Sequence, residues 1–252
     1  MASSMLELPH NPRRGELFDV DIDELTPKGR GRGWLMARVG SQKQGRRFEV
    51  LVRRALPGER VTVEVERCRR GVVEGRRAAI LEPAVGRIAA RCPHFGPREE
   101  PGRGCGGCVL QSLSYDDQLS LKEQMVARAL KREGVEPETV MKPIVPAVQS
   151  WMYRNKMEFS FGDDRSRTFA LGLYPAGWRR EVLNLETCHL QSEDSARLVR
   201  RLRDWCAAQG LEPYKPNANT GFLRTLTVRE GKRTGERMLE LTTTAAETAL
   251  CR

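Results

Sequence analysis

No apolar run in this sequence approaches the roughly 20 residues that a membrane-spanning helix requires, so no helical span is expected. The opening residues, MASSMLELPHNPRRGE, contain no apolar h-region, which argues against a secretory signal. Glu7 and Glu16 argue against an organellar transit peptide, and a cytoplasmic location is expected, with an organellar one left open. Aromatic residues make up only 6% of the chain, which limits stacking against flat ligands. A Gly-rich strand–turn–helix fingerprint for a nucleoside cofactor is also missing. The Gly29–Gly33 stretch is too basic for one, and no parallel βαβ pattern surrounds it. The seven cysteines are an odd count with no signal for an oxidising compartment, which argues against a disulfide framework and for reduced thiols or metal ligands.

What the sequence has in excess is positive charge, and it is concentrated. The formal net charge is +10, and Lys28 to Arg87 holds 16 Lys/Arg against 6 Asp/Glu, so that block accounts for all of it. A basic block attracts a polyanion through Coulomb attraction and counterion release, which makes nucleic acid the leading partner and leaves a merely solvating basic face as the plain alternative.

The basic block is patterned as a small β domain. Short β-type runs at Leu17–Ile22, Trp34–Val39, Phe48–Val52, Arg60–Glu66 and Arg76–Leu81 alternate with Gly- and Pro-bearing turns. Pro27–Gly33, Gly40–Gly45 and Leu56-Pro57-Gly58-Glu59 read as those turns. Five short strands so spaced predict an OB-like barrel, which binds nucleic acid on a basic face. With Phe18, Trp34 and Phe48 as its few rings, grip on phosphate is expected rather than base reading. The predicted contacts are Lys28, Arg30, Arg32, Arg46, Arg47, Arg53 and Arg54, with Arg154 and Lys156 as further ones or as internal ion-pair partners.

A Gly/Pro/Cys-rich loop without periodicity follows over 86–113. A helix is then expected from Ser114 as N-cap to Gly134 at C′, and a second from Ser192 to Gln209, closed by Gly210. Strands are expected at 154–161, 168–174 and 181–185, and a hairpin pairs Phe222–Arg229 with Glu236–Thr242. The domain reading is a leader over 1–13, a barrel over 14–86, a Cys-rich loop over 87–113 and an α+β domain over 114–252.

Within that loop, Cys92-Pro93-His94-Phe95 precedes Cys105-Gly106-Gly107-Cys108. A C-x-x-C pair brings two thiolates to one centre, and Cys188 is the best remaining candidate for a fourth ligand. Such a set suits a [4Fe–4S] cluster, or a structural zinc with Cys₄ or with Cys₃His through His94 or His189. Free thiols, with Cys188 buried as a small hydrophobe, are the plain alternative. Spacing does not separate zinc from iron–sulfur. Cys68, Cys206 and Cys251 have no partner spacing, and Cys206 fits the core face of its helix.

These segments together resemble one family, the bacterial-type RNA (uracil-5-)-methyltransferases, in the branch acting on 23S ribosomal RNA. Gly29-Arg30-Gly31-Arg32-Gly33 and Ala55-Leu56-Pro57-Gly58-Glu59-Arg60-Val61 resemble its TRAM domain, an OB-like RNA-binding module. Cys92-Pro93-His94-Phe95-Gly96, Cys105-Gly106-Gly107-Cys108 and Tyr115-x-x-Gln118-Leu119-x-x-Lys122 resemble its cluster loop and following helix. Tyr153-Arg154-Asn155-Lys156-Met157-Glu158-Phe159, Leu171-Gly172-Leu173-Tyr174, Leu185-x-x-Cys188-x-Leu190 and Val228-Arg229-Glu230 continue in register with its central domain.

The resemblance implies a [4Fe–4S] cluster held by Cys92, Cys105, Cys108 and Cys188, with Gly96–Gly104 as an insertion between the first two ligands. It implies an RNA partner, ribosomal rather than transfer, no membrane partner and a monomer. In that family a Rossmann-like domain binds S-adenosylmethionine, a cysteine attacks C6 of uracil and a glutamate is the base; none of these has a counterpart here. The resulting fold class is α+β multidomain, an OB-like TRAM barrel and a mixed central domain, with the methyltransferase domain absent. The expected function is part of an S-adenosylmethionine-dependent RNA (uracil-C5)-methyltransferase truncated before its catalytic domain. A non-catalytic RNA-binding adaptor or chaperone is the alternative.

Overall fold

In the computed structural model, residues 6–38, 45–96 and 104–245 are described. Val39, Gly40–Gln44, most of the Gly96–Gly104 insertion and Cys251 lie outside them. The chain divides into two compact units, Met1–Ala90 with Val109–Pro146, and Arg91–Cys108 with Ala147–Arg252. Among the described residues no helix is long and apolar enough to cross a membrane.

The first unit is built on alternation. Its strands are β1 (Glu7–Leu8), β2 (Leu17–Asp21), β3 (Glu24–Leu25), β4 (Arg30–Ala37), β5 (Arg46–Arg53), β6 (Arg60–Arg69) and β7 (Val72–Glu82). They pair in the order β1-β4-β5-β7-β6-β2. Close after β2 in the chain, β3 pairs with β4, so the ladder returns on itself and the sheet curls into a barrel. Every second side chain points inward, and Phe18, Val20, Leu35, Phe48, Val50, Val52, Val61, Val63, Val65 and Val73 fill the interior. Each such aliphatic side chain contributes about 2 kcal/mol when fully removed from water.

Two stretches differ from the sequence reading. Arg30 to Gly33 is strand rather than turn. Gly31 and Gly33 face inward there, and a Cβ would lie 2.7 Å from the Ala55 carbonyl oxygen and 2.2 Å from that of Asp21. The glycines permit close backbone approach. The second stretch is 67–75, where β6 and β7 run longer than expected and meet at a two-residue turn, Arg70-Gly71, with φ of 52° and 83°. Positive φ at both positions fits the twist of a tight hairpin, and an arginine at the first hides that turn in the sequence.

Helix α1 (Tyr115–Arg132) starts at Ser114, whose hydroxyl accepts from the Asp117 amide at 3.1 Å, and Gly134 follows it at φ 75°. It is followed by the short α2 (Pro137–Val140). A satellite core of Leu25, Leu56 and Leu113, with Leu110 and Leu121 against it, joins this segment to the barrel. Beneath it lies a buried ionic knot. Glu59, with no exposed side-chain surface, accepts from the Leu56 amide at 2.9 Å and from two nitrogens of the Arg87 guanidinium. The Arg54 carbonyl oxygen accepts from Arg77 at 2.6 Å and from Arg87 at 3.2 Å. Burial, then the neighbouring Arg87 charge, pulls Arg77 down to about 10.

In the second unit, β8 (Lys156–Asp163), β9 (Phe169–Leu173), β10 (Leu183–Asn184), β11 (Leu223–Glu230) and β12 (Arg237–Thr243) form an antiparallel sheet ordered β10-β9-β8-β11-β12. Helix α3 (Glu193–Ala208), capped by Ser192, packs Val199 and Cys206 into a core with Phe159, Leu171, Leu223 and Leu226. Glu230 ties cap to sheet, accepting from the Ser192 amide at 3.1 Å and its hydroxyl at 2.8 Å. Burial works to raise the pKa of Glu230, but hydrogen bonds from Lys232, Ser195 and Ser192 outweigh it and hold it at about 2.

Candidate nucleic-acid interface and metal centre

The structure sorts the basic residues named from the sequence into different environments. On the outer face of the barrel, Arg30 pairs with Glu74 at 2.9 Å, Arg32 lies between Glu24 and Glu49, and Arg53 pairs with Glu66. Arg76, not named from the sequence, pairs with Glu64. These are ion pairs between strands of the sheet, half-buried: Arg32 with Glu24 and Glu49 and Arg76 with Glu64 join neighbouring strands, whereas Arg30–Glu74 and Arg53–Glu66 each reach across one intervening strand. Arg54 is itself buried, at 8% exposure, in the knot around Glu59. Lys28 is exposed on the turn before β4.

At the other end of β4 the situation reverses. Arg46 and Arg47 open β5 and are exposed, and β5 runs parallel to β7 so that Glu49 faces Val72. This sets them beside the β6–β7 hairpin, which carries the exposed Arg67, Arg69 and Arg70. The Arg46 guanidinium reaches the turn, since a Cβ on Gly71 would lie 3.1 Å from its Nη2. Among the described residues none of these five has a carboxylate within 4 Å. Burial, then Asp21 and Glu24, raise the pKa of Asp23 against the lowering effect of the Arg47 charge. The Arg47 guanidinium lies 3.7 Å over the Trp34 ring, and that of Arg46 lies 5.4 Å from the centre of Phe48. Planar cations held against rings, with their edges open, suit a phosphate backbone with an occasional stacked base. No strand is expected from the sequence over 67–75, and Arg67, Arg69 and Arg70 are not among the contacts expected from it.

In the second unit Arg154 is half-buried. Its amide donates to the Leu190 carbonyl at 2.9 Å, and its charge reaches the Cys188 thiol. Lys156 is exposed, on a shallow cleft with Asn155, Arg229, Glu230 and Arg237.

The cysteines are brought together from distant parts of the same unit. The Cys105 amide donates to the His94 carbonyl at 2.7 Å, and Gly106 donates to the Tyr174 carbonyl at 3.0 Å, which pins the C-G-G-C turn to the end of β9. A side chain on Gly106 would meet that Tyr174 oxygen at 3.0 Å. His94 Nε2 accepts from the Glu186 amide at 3.2 Å, linking the Cys92 loop to the segment bearing Cys188. His189 instead stands edge-on to Trp151, 5.8 Å between ring centres.

Burial pushes the Cys105 thiol up to about 11 against an N–H···S contact from Gly107 at 3.4 Å, and Cys108, Cys188 and Cys92 push it the same way. Burial also raises Cys188, opposed by the Leu190 amide and reinforced by Cys108 and Cys92. All four sulfurs therefore feel one another. Among the described residues, however, no three Cys, His, Asp or Glu side chains are arranged to hold a metal ion. The donor set has the chemistry of a cation site, since positive charge placed beside the raised Cys105 and Cys188 thiols would favour their ionised form. The arrangement is not closed around such a charge. Cys206 is buried in the α3 core, and Cys68 is half-buried near Arg46.

No family model matches the chain. Curated relatives do. The chain is 32% identical over 231 residues to an uncharacterized RNA methyltransferase of Caldanaerobacter subterraneus, covering 92% of this chain and 47% of that protein. It is 34% identical over 230 residues to one of Nitratidesulfovibrio vulgaris, covering 91% and 45%. Among solved structures it superposes on the Pyrococcus abyssi tRNA (uracil-54, C5)-methyltransferase in complex with S-adenosyl-L-homocysteine. That match has a TM-score of 0.62 and 22% identity, and covers 91% of this chain and 46% of that one. The chain is thus related in sequence to RNA methyltransferases, and it spans about half the length of the curated relatives it matches.

The matches correct the fold class read from the sequence, an α+β multidomain chain of OB-like barrel and central domain from which the Rossmann-like methyltransferase domain is absent. Nine-tenths of the chain superposes on a methyltransferase chain, so its fold is classed with that of a methyltransferase and not as one lacking it. The error lay in reading an absence from the place where a chain stops.

Proposed function

We propose that this chain supplies the RNA grip of an S-adenosylmethionine-dependent RNA (uracil-C5)-methyltransferase, with its first unit acting as a TRAM-type RNA-binding module. The observation that carries the proposal is the group Arg46, Arg47, Arg67, Arg69 and Arg70, exposed and without ion pairs among the described residues, on a chain related to RNA methyltransferases. Five unneutralised guanidinium groups at one end of a barrel attract a polyanion far more than the paired arginines along its strands. Uracil C5 as the target draws support from the sequence resemblance and from the uracil-C5 methyltransferase on which the chain superposes. That structural neighbour is named as a tRNA enzyme, whereas the resemblance of the cysteine loop favours a ribosomal substrate.

The test is binding of the chain to a 23S ribosomal RNA fragment and to tRNA across a salt series. The expected result is a linear fall of log affinity with log salt and a preference for the ribosomal fragment. Affinity that ignores salt overturns the grip, and equal or better binding of tRNA overturns the ribosomal assignment. For the whole protein, 5-methyluridine formed from S-adenosylmethionine is the expected product, and methylation of another base overturns the uracil assignment.

Within this reading Cys92, Cys105, Cys108 and Cys188 hold a [4Fe–4S] cluster, which when bound would cross-link the 92–108 loop to the strand end near Cys188. Support comes from the mutual proximity of the four thiols and from the N–H groups of Gly107 and Leu190 directed at sulfur. Anaerobically purified protein should be brown and contain about four irons per chain. Cys188→Ala should lose both colour and folded stability. A colourless protein with stoichiometric zinc would overturn the assignment.

A further inference from the structure

The second unit has a cleft that none of the four cysteines lines. It has a volume of about 980 Å³ and lies between the β8–β9 turn, the 174–182 segment and the 213–218 loop. Its rings include Tyr174, Trp178 and Tyr214 beside the buried Phe161, and its cations include Arg167, Arg179 and Arg180, all three exposed. The walls are held by backbone bonds. Val182 donates to the Asp163 carbonyl at 2.9 Å, Trp178 to that of Pro175 at 3.1 Å, and Tyr214 to that of Leu223 at 2.8 Å.

Two guanidinium groups already lie near these rings, Arg180 at 5.3 Å from the Trp178 ring centre and Arg224 at 4.8 Å from that of Tyr214. Three acids line the cleft: Asp163, Asp164 and the half-buried Glu181, which follows Arg180 in the chain. Asp163 pairs with Lys215 at 3.8 Å, and Asp164 accepts from the Ser166 and Thr168 amides and the Thr168 hydroxyl. Among the described residues Arg165, Arg167, Arg179 and Arg180 have no carboxylate within 4 Å.

We infer that this cleft binds single-stranded RNA, with an unpaired nucleobase stacked on Trp178 or Tyr214 and the flanking phosphates on Arg167, Arg179 and Arg180. The inference rests on the RNA reading above and extends it to a second contact, in a different unit and of a different kind. A flat π surface beside fixed guanidinium groups favours a base with its phosphates over an acidic peptide, which would use the cations and leave the rings idle. The volume exceeds what one side chain fills and suits a ligand the size of a nucleotide. A duplex, whose bases are already stacked on one another, cannot use the rings.

The test uses the full chain and two probes, a fluorescein-labelled single-stranded oligouridylate of about twelve nucleotides and an RNA duplex of similar length. Trp178→Ala should weaken oligouridylate binding about ten-fold, as expected for loss of one base-stacking contact, and leave duplex binding unchanged. Trp178→Phe should restore most of the loss, which separates stacking from a folding defect, and circular dichroism melting of each variant provides a second control. Arg179→Glu with Arg180→Glu should weaken oligouridylate binding and reduce its salt slope.

Unchanged oligouridylate affinity in Trp178→Ala, alongside loss in Arg67→Glu with Arg69→Glu, would overturn the cleft and leave the barrel grip standing. Equal loss for single strand and duplex would overturn the stacked base. Wild-type chain that binds neither RNA would overturn both readings. Displacement of oligouridylate by polyglutamate from wild type and Trp178→Ala alike would mark the cleft as a peptide-type anion site and overturn the RNA assignment.

Discussion

Arg30, Arg32, Arg53 and Arg76 lie along the barrel strands, and each pairs with a glutamate of another strand, whereas among the described residues Arg46, Arg47, Arg67, Arg69 and Arg70 crowd one end with no carboxylate within 4 Å. The two groups share residue type and one sheet, the first half-buried and the second exposed. They differ in what stands opposite. Around the first group the register brings Glu24, Glu49, Glu64, Glu66 and Glu74 into reach, and the charges cancel locally. At the hairpin end the register sets Glu74 opposite Arg67, but Arg30 takes that carboxylate, and the field of the five cations adds. A basic stretch of sequence thus becomes two surfaces, one that holds the sheet and one that attracts a polyanion.

The largest expected effect tests the structural limit of this division. Glu59 and Arg87 form the buried version of the ladder pairs, and Glu59→Gln leaves Arg87 in the interior without its counter-charge. Removing one partner of a buried pair costs about 3–5 kcal/mol, so urea denaturation should show a large fall in midpoint. RNA affinity of the fraction that remains folded should not change. A midpoint near that of wild type would mean that Arg87 finds solvent or another acceptor, and the knot would then not hold the barrel end to α1.

Next comes the functional limit. Reversing Arg67, Arg69 and Arg70 to Glu should lower RNA affinity by about a hundred-fold at moderate salt and reduce the salt slope by about two. Thermal stability should barely move, because these side chains are exposed and have no ion pair among the described residues. Loss of stability without loss of binding would invert the comparison.

Much of this division was beyond the reach of sequence reading, for physical reasons. Strand and helix positions were legible where a local rule fixes them. Alternation marks Phe48 to Val52, Ser114 and Ser192 cap their helices, and Gly134 and Gly210 close them. The nearness of Cys105 to Cys108 follows from their C-x-x-C spacing, whereas Cys92 and Cys188 come near them through the fold and were expected from the resemblance. What escaped was non-local. Arg53 meets Glu66 and Arg30 meets Glu74 only through strand register, so nothing in the sequence around Arg30 or Arg53 separates a paired arginine from an open one. The Arg70-Gly71 hairpin broke the usual residue preference for its turn, and three of the five open arginines were lost with it.

A smaller effect comes from the second unit, where one carboxylate is paired as thoroughly as those of the ladder. Folding takes Glu230 from an ordinary value of 4.5 to about 2, so between those pH values the unfolded chain binds the extra proton. The stabilisation is complete above pH 4.5 and is lost as pH falls toward 2, amounting to about 1–2 kcal/mol once solvent screening is allowed for. Glu230→Gln should flatten the dependence of unfolding free energy on pH in that window. An unaltered slope would assign it to other carboxylates.

The smallest effect is the most discriminating for the ladder. Arg53 and Glu66 are each about one-fifth exposed, with side-chain values of 21% for both, and a pair of this kind contributes about 0.5–1 kcal/mol. Arg53→Glu places two glutamates face to face and should lower the melting temperature by a few degrees, about the shift that 1 kcal/mol produces in a small domain. Arg53→Glu combined with Glu66→Arg restores opposite signs with the order exchanged and should recover most of that loss. RNA affinity should stay within about two-fold of wild type in the double variant, whose net charge is unchanged, because neither side chain contributes open charge to the hairpin end. If affinity instead falls with Arg53→Glu and stays low in the double variant, Arg53 itself touches RNA. The paired face would then be part of the grip, and pairing in the free protein would be a resting state that RNA displaces.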